Sequence, residues 1–251
     1  MNLLIIQARM GSSRLPGKVL KEIKGHSLLE IQQLRINQSK LVNKIVIATT
    51  VNKEDDAIEA FCKAKNIDCF RGSESDVLDR YYQAAKPFSP DHVIRVTSDC
   101  PLHHHTVVDF VIDQYLLSGK DYFSNSNHEP EFLEDGFDTE VFSFAALETA
   151  WKEAKLLSER EHVTPYIKNS GKFKCGWKKY DKGYQYKLSV DSESDFKAVE
   201  TIFKSFASIT DFTMADVIKL LEARPEILEL NKESVINSGY VKSVQNDKKI
   251  D

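Results

Sequence analysis

Short apolar runs and helical periods alternate along the first 120 or so residues. Residues 2–8, NLLIIQA, are an apolar run that ends in a Gly/Ser/Pro segment at 10–17, which predicts a buried strand running into a loop. In 26–40, apolar residues at Leu28, Leu29, Ile31 and Leu34 keep close to a helical period. A second strand is expected at 41–50 (LVNKIVIATT), a helix at 55–66, a third strand at 67–72 (IDCFRG), a helix at 76–86, a fourth strand at 92–99 (HVIRVTSD) and a helix at 106–119. This alternation is the signature of βαβ units, a mostly parallel sheet with helices on both faces. No linker, repeat or low-complexity tract interrupts it.

The second half is less regular. Residues 137–154 predict a strand followed by a helix. Residues 172–190 alternate aromatic and polar positions around Asp181-Lys182-Gly183 and read as a hairpin, at a sheet edge or a dimer contact. Helices are expected at 195–205 and 214–223, the latter stopped by Pro225. One domain over 1–240 and a flexible polar tail at 241–251 complete the expectation.

Composition narrows the class. The 251 residues include 34 Lys+Arg and 38 Asp+Glu, a formal charge of −4, with 41% hydrophobic residues. That is an ordinary globular balance, and its sign argues against a general nucleic-acid binder. No apolar run approaches the ~18 residues of a membrane span, and the N-terminus lacks the features of a secretory signal. A cytoplasmic protein with Cys62, Cys69, Cys100 and Cys175 reduced is expected, and the absence of a CxxC pair argues against structural zinc.

The most informative segment is QARMGSSRLPGK at 7–18, which places Arg9, Arg14 and Lys18 within ten residues beside Gly11, Gly17, Ser12 and Ser13. It follows the first strand, and open α/β sheets bind ligands beyond the carboxyl ends of strands. Glycine-rich backbone cradles anions and Arg grips phosphate oxygens in a bidentate way. A polyphosphate site is indicated, with a solvated basic loop as the alternative. The segment is neither a Walker A sequence nor a G-x-G-x-x-G fingerprint. Asp99 ends an inner strand and Asp191 ends another β-like run. Each could hold Mg²⁺ if the fold brings them together, since that ion takes one or two carboxylates plus substrate oxygens. The alternatives are a turn or cap for Asp99 and a capping segment at Ser192 and Asp195. His103, His104 and His105 cannot all face one metal and are expected to form a surface turn. Cys100 has no identifiable base, which argues against a nucleophile.

These motifs resemble a known family. IIQARMGSSRLPGKVL, FRGSESDVLDRYY (70–82), RVTSDCPL (95–102), DGFDTEVFSFAAL (135–147), SEREHVTPYI (158–167) and KLSVDSESDF (187–196) are similar, in order, to the spore-coat polysaccharide cytidylyltransferases. Those are relatives of the CMP-Kdo and acylneuraminate cytidylyltransferases. The resemblance implies a Rossmann-like, three-layer nucleotide-diphosphosugar transferase fold with a mixed sheet of about seven strands, in agreement with the pattern above. It implies a CTP-dependent enzyme that makes a CMP-sugar from a sugar acid for surface glycan synthesis, uses Mg²⁺ and forms a homodimer. By the same resemblance, Arg9, Gly11, Ser12, Ser13, Arg14 and Lys18 form the phosphate loop, and the backbone of Ala8 and Arg9 meets cytosine or ribose. Arg71, Gly72, Ser73, Asp76, Val77 and Arg80 match the base-recognition stretch, Asp99 and Asp191 the metal acids, and Glu140 and His162 the acceptor contacts. Arg14 and Lys18 would steady the leaving pyrophosphate. The chain departs from its relatives at Leu102–His105, where they usually carry Leu-Ile-Asp-Pro. A nucleotide-sugar glycosyltransferase and a non-catalytic nucleotide-binding subunit are the alternatives.

Overall fold

The computed structural model describes residues 1–126, 135–180, 186–236, 243, 245 and 247–249. The chain begins with β1 (Asn2–Gln7) and a two-strand ribbon of β2 (Glu22–Ile23) and β3 (His26–Ser27). Then come α1 (Leu28–Ile36), β4 (Lys44–Thr50), α2 (Asp56–Lys65), β5 (Asp68–Gly72), α3 (Val77–Ala85), β6 (His92–Thr97) and α4 (His105–Ser118). The second half supplies β7 (Tyr122–Ser124), β8 (Glu140–Ser143), α5 (Phe144–Glu153), α6 (Leu157–His162), α7 (Pro165–Asn169) and β9 (Cys175–Trp177). Helices α8 (Glu193–Lys204), α9 (Met214–Ala223) and α10 (Glu226–Glu229) follow.

Seven strands form one sheet in the order β5-β4-β1-β6-β8-β7-β9. All run one way except β8, which is antiparallel to both β6 and β7. The continuous apolar run of β1 is explained by its central place. Leu3 and Ile5 pack toward α3 and α5, while Leu4 and Ile6 pack toward α1, α2 and α4. A strand buried on both faces cannot alternate with polar residues. A third cluster joins α8 and α9 to Leu15, Phe137, Leu188 and Val190.

Local chemistry sets the helix starts. Ser27, Asp76, Ser143, Ser192 and Thr213 each accept a backbone N–H from the first turn of the helix they cap, offsetting donors that have no partner within the helix. The capping segment expected at Ser192 and Asp195 is the start of α8.

Two expectations, the hairpin and the surface turn of histidines, are changed. The turn of the predicted hairpin, 181–185, lies outside the described residues. Its first arm is β9, paired parallel with β7. In its second arm, the N–H groups of Leu188 and Ser189 donate to the Asp135 carboxylate, at 2.6 and 2.7 Å, and that of Val190 to the Asp99 carbonyl at 2.7 Å. That arm therefore runs into the interior beside β6. The histidine run is internal: His103 and His104 are buried, His103 Nε2 lies 2.8 Å from Thr139 Oγ1, and His104 caps α4. Burial of the segment is tolerated because the guanidinium of Arg35, itself fully buried, donates to the carbonyls of Leu102 and His103. Among the described residues of the expected flexible tail, Asp247 accepts the N–H and hydroxyl of Ser158 at 3.0 and 2.7 Å, and the Lys248 carbonyl accepts Leu157 N–H at 2.9 Å. The open N-terminus of α6 supplies those donors.

Candidate active site

The order of the strands decides where a ligand fits. From β1 the chain moves outward through β4 to β5, then crosses back to place β6 on the other side of β1. Loops leaving β1 and β6 at their carboxyl ends therefore diverge and leave a crevice between them. An open cleft of about 590 Å³ lies there.

The loop after β1 is closed by its own backbone. Met10 C=O accepts the N–H groups of Ser12 and Gly17 at 2.8 and 2.9 Å, and Met10 N–H donates to the buried Asp55 at 2.6 Å. Gly17 has φ of 70°, a left-handed conformation that strains other L-residues, and it turns the chain so that Lys18 opens a 3₁₀ turn. From this loop Ala8, Arg9, Ser12, Ser13, Arg14 and Lys18 line the cleft.

Lys18 draws the two acids together. Its Nζ lies 2.6 Å from Val190 O, 3.0 Å from Asp191 Oδ1 and 3.4 Å from Asp99 Oδ2. Arg14 Nη2 is 3.1 Å from the same Oδ1 of Asp191. On the other side, Lys187 Nζ is 3.1 Å from Asp191 Oδ2 and 2.7 Å from Ser189 O. Residues 99 and 191, far apart in sequence, are thus joined through Lys18, while Arg14 and Lys187 hold Asp191 alone.

The charges follow from these contacts. Lost hydration raises the Asp99 carboxyl, but Lys18, with Thr97 and Lys187 adding to it, outweighs that and holds the group at about 2. Burial and the neighbouring Asp99 raise Asp191; Lys18 and Lys187 outweigh both and leave it below the usual range. For Lys18, burial favours the neutral amine, and the two carboxylates reverse that and raise it. The cluster holds two ionised carboxylates and protonated lysines near neutral pH.

Val77 and Arg80 of α3, Asp99 with Thr97 and Ser98, Asp191, and His162 with Leu157 and Glu161 complete the wall. Burial lowers His162 to about 4, so it is neutral at pH 7. The remaining candidates have other partners. Arg71 turns away, its Nε and Nη2 on the carbonyls of Thr50 and Asn52 and its Nη1 on Asp56 and Glu59. Gly72 is pressed by Phe70 and Arg80, so that a Cβ there would lie 2.9 Å from the Phe70 ring. Ser73 and Asp76 start α3, and Asp76 also receives Arg160 Nε at 3.0 Å on each oxygen. Gly11 packs under Glu54. Glu140 lies inside, 2.5 Å from Arg95 Nη1 and 2.6 Å from the hydroxyls of Tyr122 and Thr164. The family motif there is satisfied by packing, and Glu140 does not line the cleft. Cys100 is buried and its thiol is raised by desolvation, which suits packing and not attack.

Two residues at the site were not singled out from sequence. Lys187 carried a readable signal: in KLSVD the alternation puts Lys187, Ser189 and Asp191 on one side and Leu188 and Val190 on the other. Glu74 had none; it meets Arg9 Nη1 at 2.7 Å and Asn52 Nδ2 at 2.7 Å across the cleft mouth.

Comparison with known proteins agrees with this geometry. A family model described as cytidylyltransferase matches residues 3–234. The chain belongs to the cytidylyltransferase family. A cytidylyltransferase from Leptospira borgpetersenii has the same fold, with a TM-score of 0.84 and 31% identity over 90% of this chain and 96% of that one. The spore coat polysaccharide biosynthesis protein SpsF of Bacillus subtilis is 31% identical over 236 residues, 89% of this chain and 95% of that protein. An uncharacterized protein of Methanocaldococcus jannaschii is 40% identical over 231 residues, 90% and 93% of the two chains. As a cytidylyltransferase the chain is a nucleotidyltransferase with a Rossmann-like fold, and its cleft lies at the switch point of that fold. Among the described residues no helix is long and apolar enough to cross a membrane.

Proposed function

We propose that this cytidylyltransferase couples CTP to a sugar acid, forming a CMP-sugar and pyrophosphate. The observation that carries the reading is the meeting of Arg14 and Lys18 with Asp99 and Asp191 in one cleft. Cations on a β1 loop suit a triphosphate, and ionised carboxylates beside them suit a divalent cation. The sugar-acid class rests on the motif resemblance to CMP-Kdo and acylneuraminate cytidylyltransferases, and a glycan role on the similarity to the spore coat polysaccharide biosynthesis protein of Bacillus.

The acceptor hydroxyl attacks the α-phosphorus and loses its proton to water of the open cleft, and the bond to the bridging oxygen breaks as pyrophosphate departs. This chemistry needs position and charge compensation more than covalent help. Arg14 and Lys18 supply positive charge where the leaving group gains negative charge. His162, neutral and at the α6 wall, can hydrogen-bond an acceptor hydroxyl. Asp99 and Asp191 are a hard-oxygen donor pair kept ionised, which fits Mg²⁺ and makes either acid a weak proton acceptor. When bound, Mg²⁺ would neutralise phosphate charge.

A pyrophosphate-release screen crossing the four NTPs with a panel of sugar acids tests the reading. Release with CTP and at least one sugar acid is expected. Release with another NTP in preference, or consumption of a finished nucleotide sugar without pyrophosphate, overturns it.

A further inference from the structure

The contacts of Lys18 have a consequence for the order in which ligands load. One ammonium serves both acids, 3.0 Å from Asp191 Oδ1 and 3.4 Å from Asp99 Oδ2. A divalent cation held by the same two carboxylates would place two positive centres on the same oxygens, and such an arrangement is repulsive at any dielectric. Lys18 also stands at the end of the loop whose Ser12, Ser13 and Arg14 line the cleft. A triphosphate there offers its ammonium another set of anionic oxygens.

The two acids differ in what remains if Lys18 leaves. Asp191 keeps Lys187 on Oδ2 at 3.1 Å, and Lys187 is buried and tied to Ser189 O. For Asp99, Lys18 is the cation within salt-bridge range among the described residues. Departure of Lys18 therefore leaves Asp99 with Thr97 and the more distant Lys187 but no cation in direct contact, a demand that an entering cation meets.

We propose that Lys18 is a displaceable counter-ion that closes the Asp99–Asp191 pair until a nucleotide triphosphate draws it away, so that the divalent cation is admitted together with CTP and not before it. The proposal rests on the nucleotidyl-transfer reading above and adds an order of loading and a second task for Lys18.

The test is a titration with Mn²⁺ as the probe, on the folded full chain without nucleotide, followed by electron paramagnetic resonance and by thermal melting. Wild type is expected to bind weakly and to show no shift in Tm. Lys18→Met and Lys18→Gln, which remove the competing charge, are expected to bind at least about tenfold tighter and to gain Tm with Mn²⁺, even though CTP turnover falls. Lys18→Arg keeps a cation and is expected to bind as weakly as wild type. The proposal is overturned if both neutral variants, folded by circular dichroism, bind Mn²⁺ no tighter than wild type. It is equally overturned, with no variant of Lys18 needed, if the wild type binds Mn²⁺ tightly without nucleotide and loses it on Asp191→Asn. Neither result touches pyrophosphate release by the wild type, so failure here and failure of the transfer reading are told apart.

Discussion

Both oxygens of Asp191 meet cations, Arg14 and Lys18 on Oδ1 and Lys187 on Oδ2, and the two sides differ in kind. Arg14 is half exposed and Lys18 belongs to the β1 loop, whereas Lys187 sits at 7% exposure with its ammonium spent on Ser189 and Asp191. Lys187 therefore acts through Asp191, as a positioning residue. Its removal leaves Asp191 Oδ2 without a cation, though Lys18 and Arg14 stay on Oδ1, and takes the compensating charge from the buried Asp135. Lys187→Met is expected to lower stability by on the order of 3 kcal/mol, read in a urea melt. It should also cut turnover with CTP by about 10²-fold with little change in the KM for CTP. An unchanged kcat would remove Lys187 from the site. At this scale the sequence was legible where charge and chain position agree, as for Lys18, Asp99 and Asp191. It did not show the partners of Arg71, Asp76 and Glu140. There the motif residues are held by Thr50 and Asn52, by Arg160 and by Arg95, partners that no local spacing reveals.

At the scale of elements, Asp135 and Gly136, ahead of β8, brace the segment that carries Asp191. The Asp135 carboxylate takes the N–H groups of Leu188 and Ser189 and, at 2.9 Å, the Ser189 hydroxyl. Gly136 beside it has φ of 90°, and a Cβ there would lie 2.7 Å from Leu188 Cβ and 3.0 Å from its backbone carbon. Gly136→Ala is expected to cost about 2 kcal/mol and to reduce turnover more than the stability loss explains, since it moves Leu188 and hence Asp191. Differential scanning calorimetry with a pyrophosphate assay checks both. A second brace is Arg35 of α1, which donates to the carbonyls of Leu102, His103, Ile209 and Phe212 and stacks 4.1 Å from the Phe212 ring. Arg35→Leu leaves four buried carbonyls without that donor, and a loss on the order of 3 kcal/mol or more is expected in chemical denaturation. Element positions were readable from period and caps; these cross-braces join residues far apart in sequence and were not.

For the whole molecule, buried histidines set the response to acid. Burial lowers His103 to about 3, and His104 and His162 to about 4, from 6.5. A group whose folded value is depressed stabilises above its unfolded value and loses that contribution as pH falls. Asp138 works the other way: burial, with Asp135 adding to it, raises it to about 7, and Asp135 is raised by burial as well. Three histidines outweigh two aspartates, so the Tm is expected to fall as pH drops from 6.5 toward 4. Below about 4.5 a further loss follows as Glu140, which burial would raise but Arg95 holds at about 2, begins to protonate in the unfolded chain. Melting curves across pH 4–8 check this, and His103→Asn should flatten the upper part of the decline. A Tm that rises on acidification would contradict the assignment. The net charge of −4 takes no part in the site. The cleft concentrates Arg9, Arg14 and Lys18 on one loop within an acidic average.

By itself the sequence determined the strand and helix succession of the first half, a mostly parallel sheet, the cationic loop after β1 and an acid, Asp99, just past an inner strand. Each of these is local: an apolar period, a cap, a glycine at positive φ, a charge at the end of a run. The tertiary structure decided which of the motif residues meet. Strand order placed β1 beside β6 and so joined the loop to Asp99. The return of 187–191 past Asp99, through Val190 N–H on the Asp99 carbonyl, brought in Asp191 and Lys187. The same packing turned Arg71, Asp76 and Glu140 to structural partners and put the histidine run inside. The physical reason is that burial and ion pairing depend on distance in space, and spacing along a chain constrains that distance only within a helix turn or a strand.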